Sequence, residues 1–301
     1  MKIGVIVPQG WTGEYDGWQP LAAWARTRDV AWLAESLGFE SIWLFDHFHT
    51  VPKPSQEITF EAFTTLSALA AETRRVRLGH VVLCAGYRNP ALTAKMVSTL
   101  DVISGGRMEL GIGAGWKRDE WLAYGYGFPP ARVRLAILRD QLEVIGAMLA
   151  GSPASFAGEH HHVEGAINRP LPLQRPRVPV MVGGNGPNVT WRLAARYADE
   201  LNLDGLTPAQ VREALPVIRN RCEEIGRDPA SLAVSAHLWH EHIAEPGAGR
   251  AELVAEYRAL GVSRLIALVR TAVDSDEALA AWAEDARAGG AEMHDSHALG
   301  A

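Results

Sequence analysis

Cysteine is scarce in this chain of 301 residues, which has two, Cys84 and Cys222, far apart in sequence. Two distant cysteines form neither a disulfide framework nor the paired spacing of a structural zinc site. Such usage is typical of proteins that work in a reducing compartment, and we therefore expect a cytoplasmic protein.

Long apolar runs and an excess of basic residues are also absent. No stretch approaches the run of about 18 apolar residues that a membrane-spanning helix needs. The apolar run at residues 2–7 is too short for a secretory signal, and we interpret it as a first strand. The formal net charge is −6, so no basic face is expected for nucleic acid. We expect a small-molecule substrate, and neither nucleic acid nor a membrane as a partner.

Short apolar runs alternate with amphipathic segments along the whole chain. The apolar runs are rich in Val, Ile and Leu and predict strands buried on both faces, at residues 2–7, 41–45, 76–83, 108–112, 178–182, 200–203, 232–238 and 263–269. The amphipathic segments predict helices, several with Pro near the start and Gly past the end, at residues 21–37, 60–73, 90–103, 132–149, 187–197, 208–225, 250–260 and 275–288.

Eight strand–helix pairs in alternation predict an α/β fold with a parallel sheet. Because eight is the number at which such a sheet closes, we expect a single (β/α)8 TIM barrel over residues 1–301, with a doubly wound open sheet as the alternative. The longest departure, residues 113–179, is an insertion between strands 4 and 5. Insertions of that length in compact domains usually cover an active site.

Reactive residues of such barrels lie at the carboxyl ends of the strands. Asp46 and His47 follow the second strand. An imidazole titrates near neutral pH and can exchange a proton with a substrate, while the carboxylate can hydrogen-bond a ligand. The alternative interpretation is a loop dipeptide that only caps neighbouring backbone.

A glycine-rich segment, Gly183-Gly184-Asn185-Gly186, follows the fifth strand and precedes a helix. Glycines allow backbone N–H groups to approach an anion closely, and the helix N-terminus adds positive potential. The segment therefore predicts a phosphate site, unless the glycines only allow the chain to bend. No lysine follows as it would in a nucleotide-binding P-loop.

The sequence also contains two groups of histidines. The run from Glu159 to His162 does not predict a metal site, because neighbours on an extended segment point to opposite sides; we expect a surface loop or a rim of the substrate pocket there. His237, His240 and His242 lie at or beyond the end of the seventh strand. The sequence does not distinguish which of them faces the pocket.

Several of these segments together resemble a known family. SIWLFDHF (41–48) resembles the second-strand signature of luciferase-like oxidoreductases that use coenzyme F-420, an 8-hydroxy-5-deazaflavin. The resemblance continues in the expected order through LGHVVL (78–83), RNP (88–90), DVISGGRMELGIGAGW (101–116), Glu120 and PVMVGGNG (179–186). It covers nearly the whole chain, so the sequence is identified as a member of the luciferase-like superfamily, in its F-420-dependent branch.

The resemblance implies a site. Asp46 and His47 would lie beside the deazaflavin ring, with His47 as proton donor or acceptor. The Val81–Val82 peptide bond would be cis and face the ring. The remaining cofactor-binding residues would be the phosphate cradle of Gly183, Gly184, Asn185 and Gly186 and the pocket wall of Ala114, Gly115 and Trp116. The resemblance also implies a homodimer and hydride transfer at C5 of the deazaflavin.

This sequence departs in two respects from relatives of known substrate, so the resemblance does not identify its substrate. Sugar-phosphate dehydrogenases of the family carry a Glu about where Ala114 stands, and the basic residues expected for a phosphorylated sugar are not recognisable. Relatives in the superfamily use FMN with oxygen, so a two-component monooxygenase supplied by a partner flavin reductase is the first alternative. A barrel that binds ligands without a cofactor is the second, because a fold does not fix a function.

Overall fold

The computed structural model describes residues 1–151 and 153–294 of the chain. The strands of this part are β1 (Lys2–Ile6), β2 (Ser41–Leu44), β3 (Arg77–His80), β4 (Leu83–Cys84), β5 (Met108–Gly113), β6 (Ala154–Ala157), β7 (His162–Ala166), β8 (Val180–Gly183), β9 (Glu200–Asp204), β10 (Ala233–Leu238) and β11 (Arg264–Ala267). Its α-helices are α1 (Pro20–Leu37), α2 (Ala62–Glu72), α3 (Pro90–Ile103), α4 (Arg118–Ala123), α5 (Ala131–Ala150), α6 (Thr190–Tyr197), α7 (Pro208–Glu223), α8 (Ala248–Ala259) and α9 (Asp276–Ala288). None of these helices is long and apolar enough to cross a membrane.

The parallel strands form a closed ring in the order β3, β2, β1, β11, β10, β9, β8, β5. Pairing of β3 with β5, where Leu78 lies opposite Met108, joins the two ends. β3 and β4 together occupy the third strand position of the barrel. β4 continues it after residues 81–82 and pairs with β5. The expected (β/α)8 barrel with eight parallel strand positions is therefore confirmed, and the open-sheet alternative is wrong.

Trp43 fills the interior of the barrel. It is fully buried among apolar side chains from other strands, including Ile6, Met181 and Ile266. Gly79 on β3 makes room for this side chain, because a Cβ there would collide with the indole ring. A second, larger apolar layer lies between the strands and the surrounding helices. The strands are thus buried on both faces, as their apolar runs predict.

A buried ion cluster closes the amino-terminal end of the barrel. The Arg264 guanidinium on β11 lies 3.1 Å from Glu40, 2.7 Å from Glu109 and 3.0 Å from Glu200. Because three carboxylates share one guanidinium away from water, these charges stabilise one another only as a set. The ligand cavity lies at the other end.

The insertion after β5 contains α4, the barrel helix α5 and an antiparallel hairpin of β6 and β7. The sequence did not predict this hairpin. The histidine run lies at its turn, where backbone N–H groups of His160 and His161 donate to the buried Asp140 carboxylate on α5, at 2.8 and 3.3 Å. Within the described ranges, no three His, Cys, Asp or Glu side chains group so as to hold a metal ion.

Two of the differences from the predicted element boundaries concern the site. α6 begins at Thr190 rather than at residue 187, because residues 187–189 form a turn. The third strand is interrupted at residues 81–82, where the peptide bond Val81–Val82 is cis. Both differences lie at the carboxyl ends of strands, beside the cavity.

Candidate functional site

A cavity of about 290 Å³ opens at the carboxyl ends of the barrel strands. This volume is near the lower end of small-molecule sites, which run from roughly 300 to 1,000 Å³. Its lining comes from seven of the eight strand positions and is rich in glycine and aromatic residues: Trp11, Phe45, Asp46, His47, Val81, Val82, Leu83, Cys84, Tyr87, Gly113, Ala114, Gly115, Trp116, Lys117, Gly183, Gly184, Thr190, Asn202, Asp204, His237 and Trp239.

Asp46 is a buried carboxylate held by three donors. Arg88 forms a bidentate pair with it, at 2.7 and 2.9 Å, and the backbone N–H of Cys84 donates to it at 2.8 Å. The same guanidinium also contacts Glu61 at 2.8 Å. Because both carboxylate oxygens accept hydrogen bonds from the Arg88 guanidinium, the Asp46 side chain is held in one position on the cavity wall.

His47 has a carboxylate partner of its own. Its Nδ1 atom lies 2.7 Å from Oε2 of Glu120, a fully buried residue of α4. The imidazole also stacks on the indole of Trp11, with ring centroids 4.1 Å apart and an angle of 4° between the planes. The carboxylate only accepts, so Nδ1 carries the proton that is shared with it. That leaves Nε2 as the nitrogen that can exchange a proton with a ligand.

The Glu120 carboxylate also accepts hydrogen bonds from two further donors. The Tyr87 hydroxyl donates to it at 3.2 Å and the Phe48 backbone N–H at 3.1 Å. Burial, together with the neighbouring Cys84 and Glu120, raises the pKa of Tyr87, so its hydroxyl stays protonated and donates. The cluster therefore holds the His47 ring in one orientation.

The Val81–Val82 peptide lines the cavity, and its bond is cis as the resemblance implies. The Val82 side chain is enclosed by glycines of two neighbouring strands. A Cβ on Gly113 or on Gly183 would lie 2.8 Å from a γ-carbon of Val82. These glycines are thus required by close packing, and they fix the position of this stretch of the wall.

Ala114, Gly115 and Trp116 continue from β5 along the rim. Gly115 has a φ of +76° and no room for a Cβ, which would collide with the Cys84 sulfur. The Trp116 side chain is 62% exposed and meets His47 edge-on, with centroids 5.8 Å apart. The structure therefore brings these three residues to the mouth of the cavity.

The glycine-rich segment after β8 divides into two parts. Gly183 and Gly184 line the cavity, and Gly184 has a φ of +128°, which L-residues rarely adopt. Asn185 points elsewhere: its amide exchanges hydrogen bonds with the backbone of Asp204, at 2.7 and 2.9 Å. Gly186 packs against Thr190. These last two residues support the loop and do not belong to the cavity lining.

A second imidazole lies on the wall formed by β9 and β10. His237 Nδ1 lies 2.8 Å from Oδ1 of Asn202. Asp204 lies beside them and accepts from the Trp239 indole N–H at 2.7 Å. Burial alone would raise the pKa of Asp204, but the adjacent His237 and the Trp239 donor outweigh it, and the pKa is lowered. Asp204 is therefore an anion.

Sequence reasoning missed Glu120, Asn202 and Asp204 as site residues and did not single out His237. Glu120 stands within the resembling block, but its partner lies 73 residues away. Asn202 and Asp204 alternate along β9 at a period of two, which places both side chains on the inner face of a barrel strand. That alternation is the signal from which this wall could have been found.

Comparisons with known proteins agree with the fold described above. Residues 1–300 match the family described as luciferase-like monooxygenase. An uncharacterized Mycobacterium tuberculosis protein is 33% identical over 185 residues, covering 56% of this chain and 64% of that protein. An F420-dependent glucose-6-phosphate dehydrogenase of Kineococcus radiotolerans is 37% identical over 238 residues, covering 71% and 68%. The chain thus spans about two thirds or slightly less of the length of these relatives.

Among solved structures, an F420-dependent secondary alcohol dehydrogenase in complex with an F420-acetone adduct superposes with a TM-score of 0.76. The identity is 19%, and the superposition covers 93% of this chain and 98% of that one. This likeness concerns the fold. Because the family match extends over residues 1–300, the chain belongs to the luciferase-like monooxygenase family.

Proposed function

We propose that the chain is an oxidoreductase that transfers a hydride between coenzyme F-420 and a small organic substrate. The observation that carries the proposal is the His47–Glu120 pair on the cavity wall, with Nδ1 and Oε2 2.7 Å apart. A carboxylate that orients an imidazole is a standard means of preparing it for proton transfer.

The residues present fit a flat heterocycle. Val81 and Val82, with Val82 packed between Gly113 and Gly183, form one part of the wall, and the aromatic rings of Trp11, Phe45 and Trp239 form another. Asp46, Val81, Val82, Gly183 and Gly184 would hold the cofactor, with Ala114, Gly115 and Trp116 at the rim. When bound, coenzyme F-420 supplies a carbon, C5, that accepts or releases a hydride.

The chain's own residues orient the ligands and handle the proton. His47 holds a proton at Nδ1, directed to Glu120, and can give or take one at Nε2. The Asp46 carboxylate is held in place beside the cofactor position, because Arg88 binds both of its oxygens. Trp116, from the insertion, meets the His47 ring edge-on at the mouth of the cavity.

The names of relatives favour the deazaflavin over FMN. The Kineococcus radiotolerans relative is described as F420-dependent, and it is 37% identical over 238 residues. Its glucose 6-phosphate is not transferred to this chain, because Lys117, the only Lys or Arg among the described lining residues, is already paired with Asp119 at 2.9 Å.

Parallel titration of the cofactor-free protein with F-420 and with FMN, followed by fluorescence, tests the proposal. We expect F-420 to bind with micromolar affinity and FMN more weakly. A preference for reduced FMN with oxygen consumption would favour the two-component monooxygenase. Binding of neither cofactor would favour a barrel that works without one.

A cytoplasmic location and a homodimer belong to the same proposal. Both cysteines are buried and unpaired, which suits a reducing compartment. Helix α3 exposes apolar side chains that a partner subunit could cover, with Leu92 52% and Ile103 50% exposed. Light scattering of the purified protein distinguishes a dimer, the expected result, from a monomer.

A further inference from the structure

Polar side chains of β9 and β10 contact one another in a row that leads to the cavity. Ser235 lies opposite Asn202 in the parallel pairing of these strands, and two residues further His237 lies opposite Asp204. The amide of Asn202 donates to Oγ of Ser235 at 2.9 Å, and its Oδ1 atom lies 2.8 Å from Nδ1 of His237. Nε2 of His237 lies 3.0 Å from Oδ1 of Asp204. The row therefore ends on the Asp204 carboxylate.

This carboxylate is held through one of its two oxygens. Oδ1 of Asp204 accepts from the Trp239 indole N–H at 2.7 Å and faces Nε2 of His237. Oδ2 accepts no hydrogen bond from any residue that the structure describes. The side chain is 50% exposed and lines the cavity. Asp204 therefore presents a positioned oxygen that a ligand can use.

The other Asp and Lys side chains of the described lining are already engaged. Both oxygens of Asp46 accept from the Arg88 guanidinium, at 2.7 and 2.9 Å. The ammonium group of Lys117 is paired with Asp119 at 2.9 Å. Among the lining residues that the structure describes, Asp204 is thus the carboxylate with an oxygen that no protein group occupies.

The charge of Asp204 decides which ligand group fits. Burial acts to raise the pKa of this carboxyl, but the hydrogen bond and charge of His237, together with the Trp239 donor, outweigh it and lower the pKa. An ionised carboxylate only accepts hydrogen bonds, so its partner must be an O–H or N–H donor. A carboxylate or phosphate group of a ligand would be repelled at this position.

Asp204 also lies apart from the other expected contacts of the cavity. β9 stands between β8 and β10 in the ring. The side-chain contacts of Asp204 come from β10 and the residue after it, whereas the predicted phosphate cradle follows β8. Trp11 stacks on His47 with centroids 4.1 Å apart, and Trp239 lies 5.7 Å from Trp11. Two indole rings therefore connect the His47 imidazole to the Asp204 carboxylate along an apolar wall.

We propose that Oδ2 of Asp204 accepts a hydrogen bond from a hydroxyl or ammonium group of the substrate, at a position away from the reacting carbon. This inference rests on the proposed function, since it names the substrate class of the same site. The class is compounds with an apolar body and a hydrogen-bond donor, not carboxylates or phosphates. Hydroxyl groups of the cofactor are a second source of the same donor chemistry, and the test below separates the two sources.

Calorimetric titration of the F-420-loaded protein tests this assignment with benzyl alcohol, protonated benzylamine, ethylbenzene and benzoate. The first three probes share one shape and differ in the terminal group, which is a hydroxyl, an ammonium or a methyl group. In Asp204→Leu the affinities for the alcohol and the ammonium should fall by about 3- to 10-fold, because a hydrogen bond to a charged group is lost. The affinity for ethylbenzene should stay within about 2-fold, and benzoate should bind more tightly once the repelling charge is removed.

Asp204→Asn is the second variant, because it keeps the shape of the side chain and an oxygen that can accept from Trp239. Its NH2 group cannot accept from an ammonium, so the affinity for protonated benzylamine should fall in this variant as well. The matched control is Asp199→Asn. The Asp199 side chain is 49% exposed and pairs with Arg177, but it does not belong to the cavity lining. This control should leave all four affinities within about 2-fold.

Affinities for the alcohol and the ammonium that change no more than that for ethylbenzene would overturn the assignment, as would a wild-type protein that binds neither donor probe. A loss of F-420 affinity in the Asp204 variants with unchanged probe affinities would assign the carboxylate to the cofactor and would equally overturn it. Failure of the wild-type protein to bind F-420 is a different result, because it contradicts the proposed function. The same probes would then be titrated into the cofactor-free protein and its variants, which decides the role of Asp204 independently.

Discussion

His47 Nδ1 lies 2.7 Å from Oε2 of Glu120, although 73 residues separate the two along the chain. His47 follows β2, the second barrel strand. Glu120 belongs to α4, which lies in the insertion after β5, the fourth barrel strand. The insertion therefore does more than cover the cavity. It supplies the carboxylate that sets the tautomer of the imidazole.

Replacement of His47 tests its role in proton transfer. His47→Ala should retain F-420 with an affinity near that of the wild-type protein but lose about 10²- to 10⁴-fold in turnover, the usual contribution of a positioned acid or base. The measurements are a fluorescence titration and kcat. His240→Ala, at an exposed position just beyond β10, is the matched control and should keep wild-type turnover. Unchanged turnover in His47→Ala would remove this residue from the catalytic machinery.

Glu120 acts through His47 and is thus a positioning residue. An amide can donate to Nδ1 where a carboxylate cannot, so Glu120→Gln should allow the wrong tautomer and lower kcat by at least about 10-fold. The dissociation constant of F-420 should stay within about 2-fold of the wild-type value, which a general loss of structure would not allow.

Glu143→Gln provides the control for this substitution. Glu143 also accepts from a tyrosine hydroxyl, that of Tyr197 at 2.6 Å, but outside the cavity. The kcat of the Glu143→Gln variant should match that of the wild-type protein. Equal losses in the two variants would mean that Glu120 has only a structural role.

The packing of Val82 between two glycines predicts that Gly183→Ala disturbs the cofactor wall. The added Cβ would lie 2.8 Å from Cγ1 of Val82, and a branched side chain held on both sides cannot move away freely. We expect F-420 affinity to fall by about 10-fold or more. In Gly146→Ala on α5 the added Cβ meets open space; that variant should gain about 0.5–1 kcal/mol of stability and keep its affinity. Equal F-420 affinity in both variants would contradict the proposed wall.

His80 predicts a loss of stability in acid. It is fully buried on β3, and burial lowers its pKa to about 4. In the unfolded chain its pKa is about 6.5, so between these values the unfolded state binds one more proton and stability falls as the pH falls. The difference amounts to about 3 kcal/mol between pH 6.5 and pH 4.

Urea denaturation at several pH values measures this effect. His80→Gln should show a shallower decrease in the free energy of unfolding below pH 6.5 than the wild-type protein. His162→Gln, at an exposed position of the hairpin, should follow the wild-type curve. Parallel curves for the wild-type protein and His80→Gln would show that His80 titrates normally.

The barrel could be predicted because strands buried on both faces leave continuous apolar runs in the sequence, as at residues 2–7 and 263–269. Asp46 and His47 could be placed for a related reason, since strand ends in a closed barrel meet at one face. The hairpin of β6 and β7 escaped prediction because its strands are short and half-exposed. Such strands carry little of the alternation that identifies a β-strand.

Contacts across the insertion could not be predicted. Glu120 reaches His47 only because α4 folds back over the barrel, and neither residue's local sequence encodes that distance. The phosphate cradle of residues 183–186 stays a prediction; within it, the side-chain amide of Asn185 binds the backbone of Asp204, a contact that the sequence did not indicate. A side chain that bonds its neighbour and one that faces a ligand have the same sequence signature.

A crystal structure of the protein bound to F-420 tests the central claim most directly. The account predicts the deazaflavin ring in the cavity, against the Val81–Val82 peptide and the Gly183–Gly184 wall, with the His47 imidazole at its edge or face. A ring bound elsewhere on the barrel, or one in this cavity out of reach of His47, would contradict it.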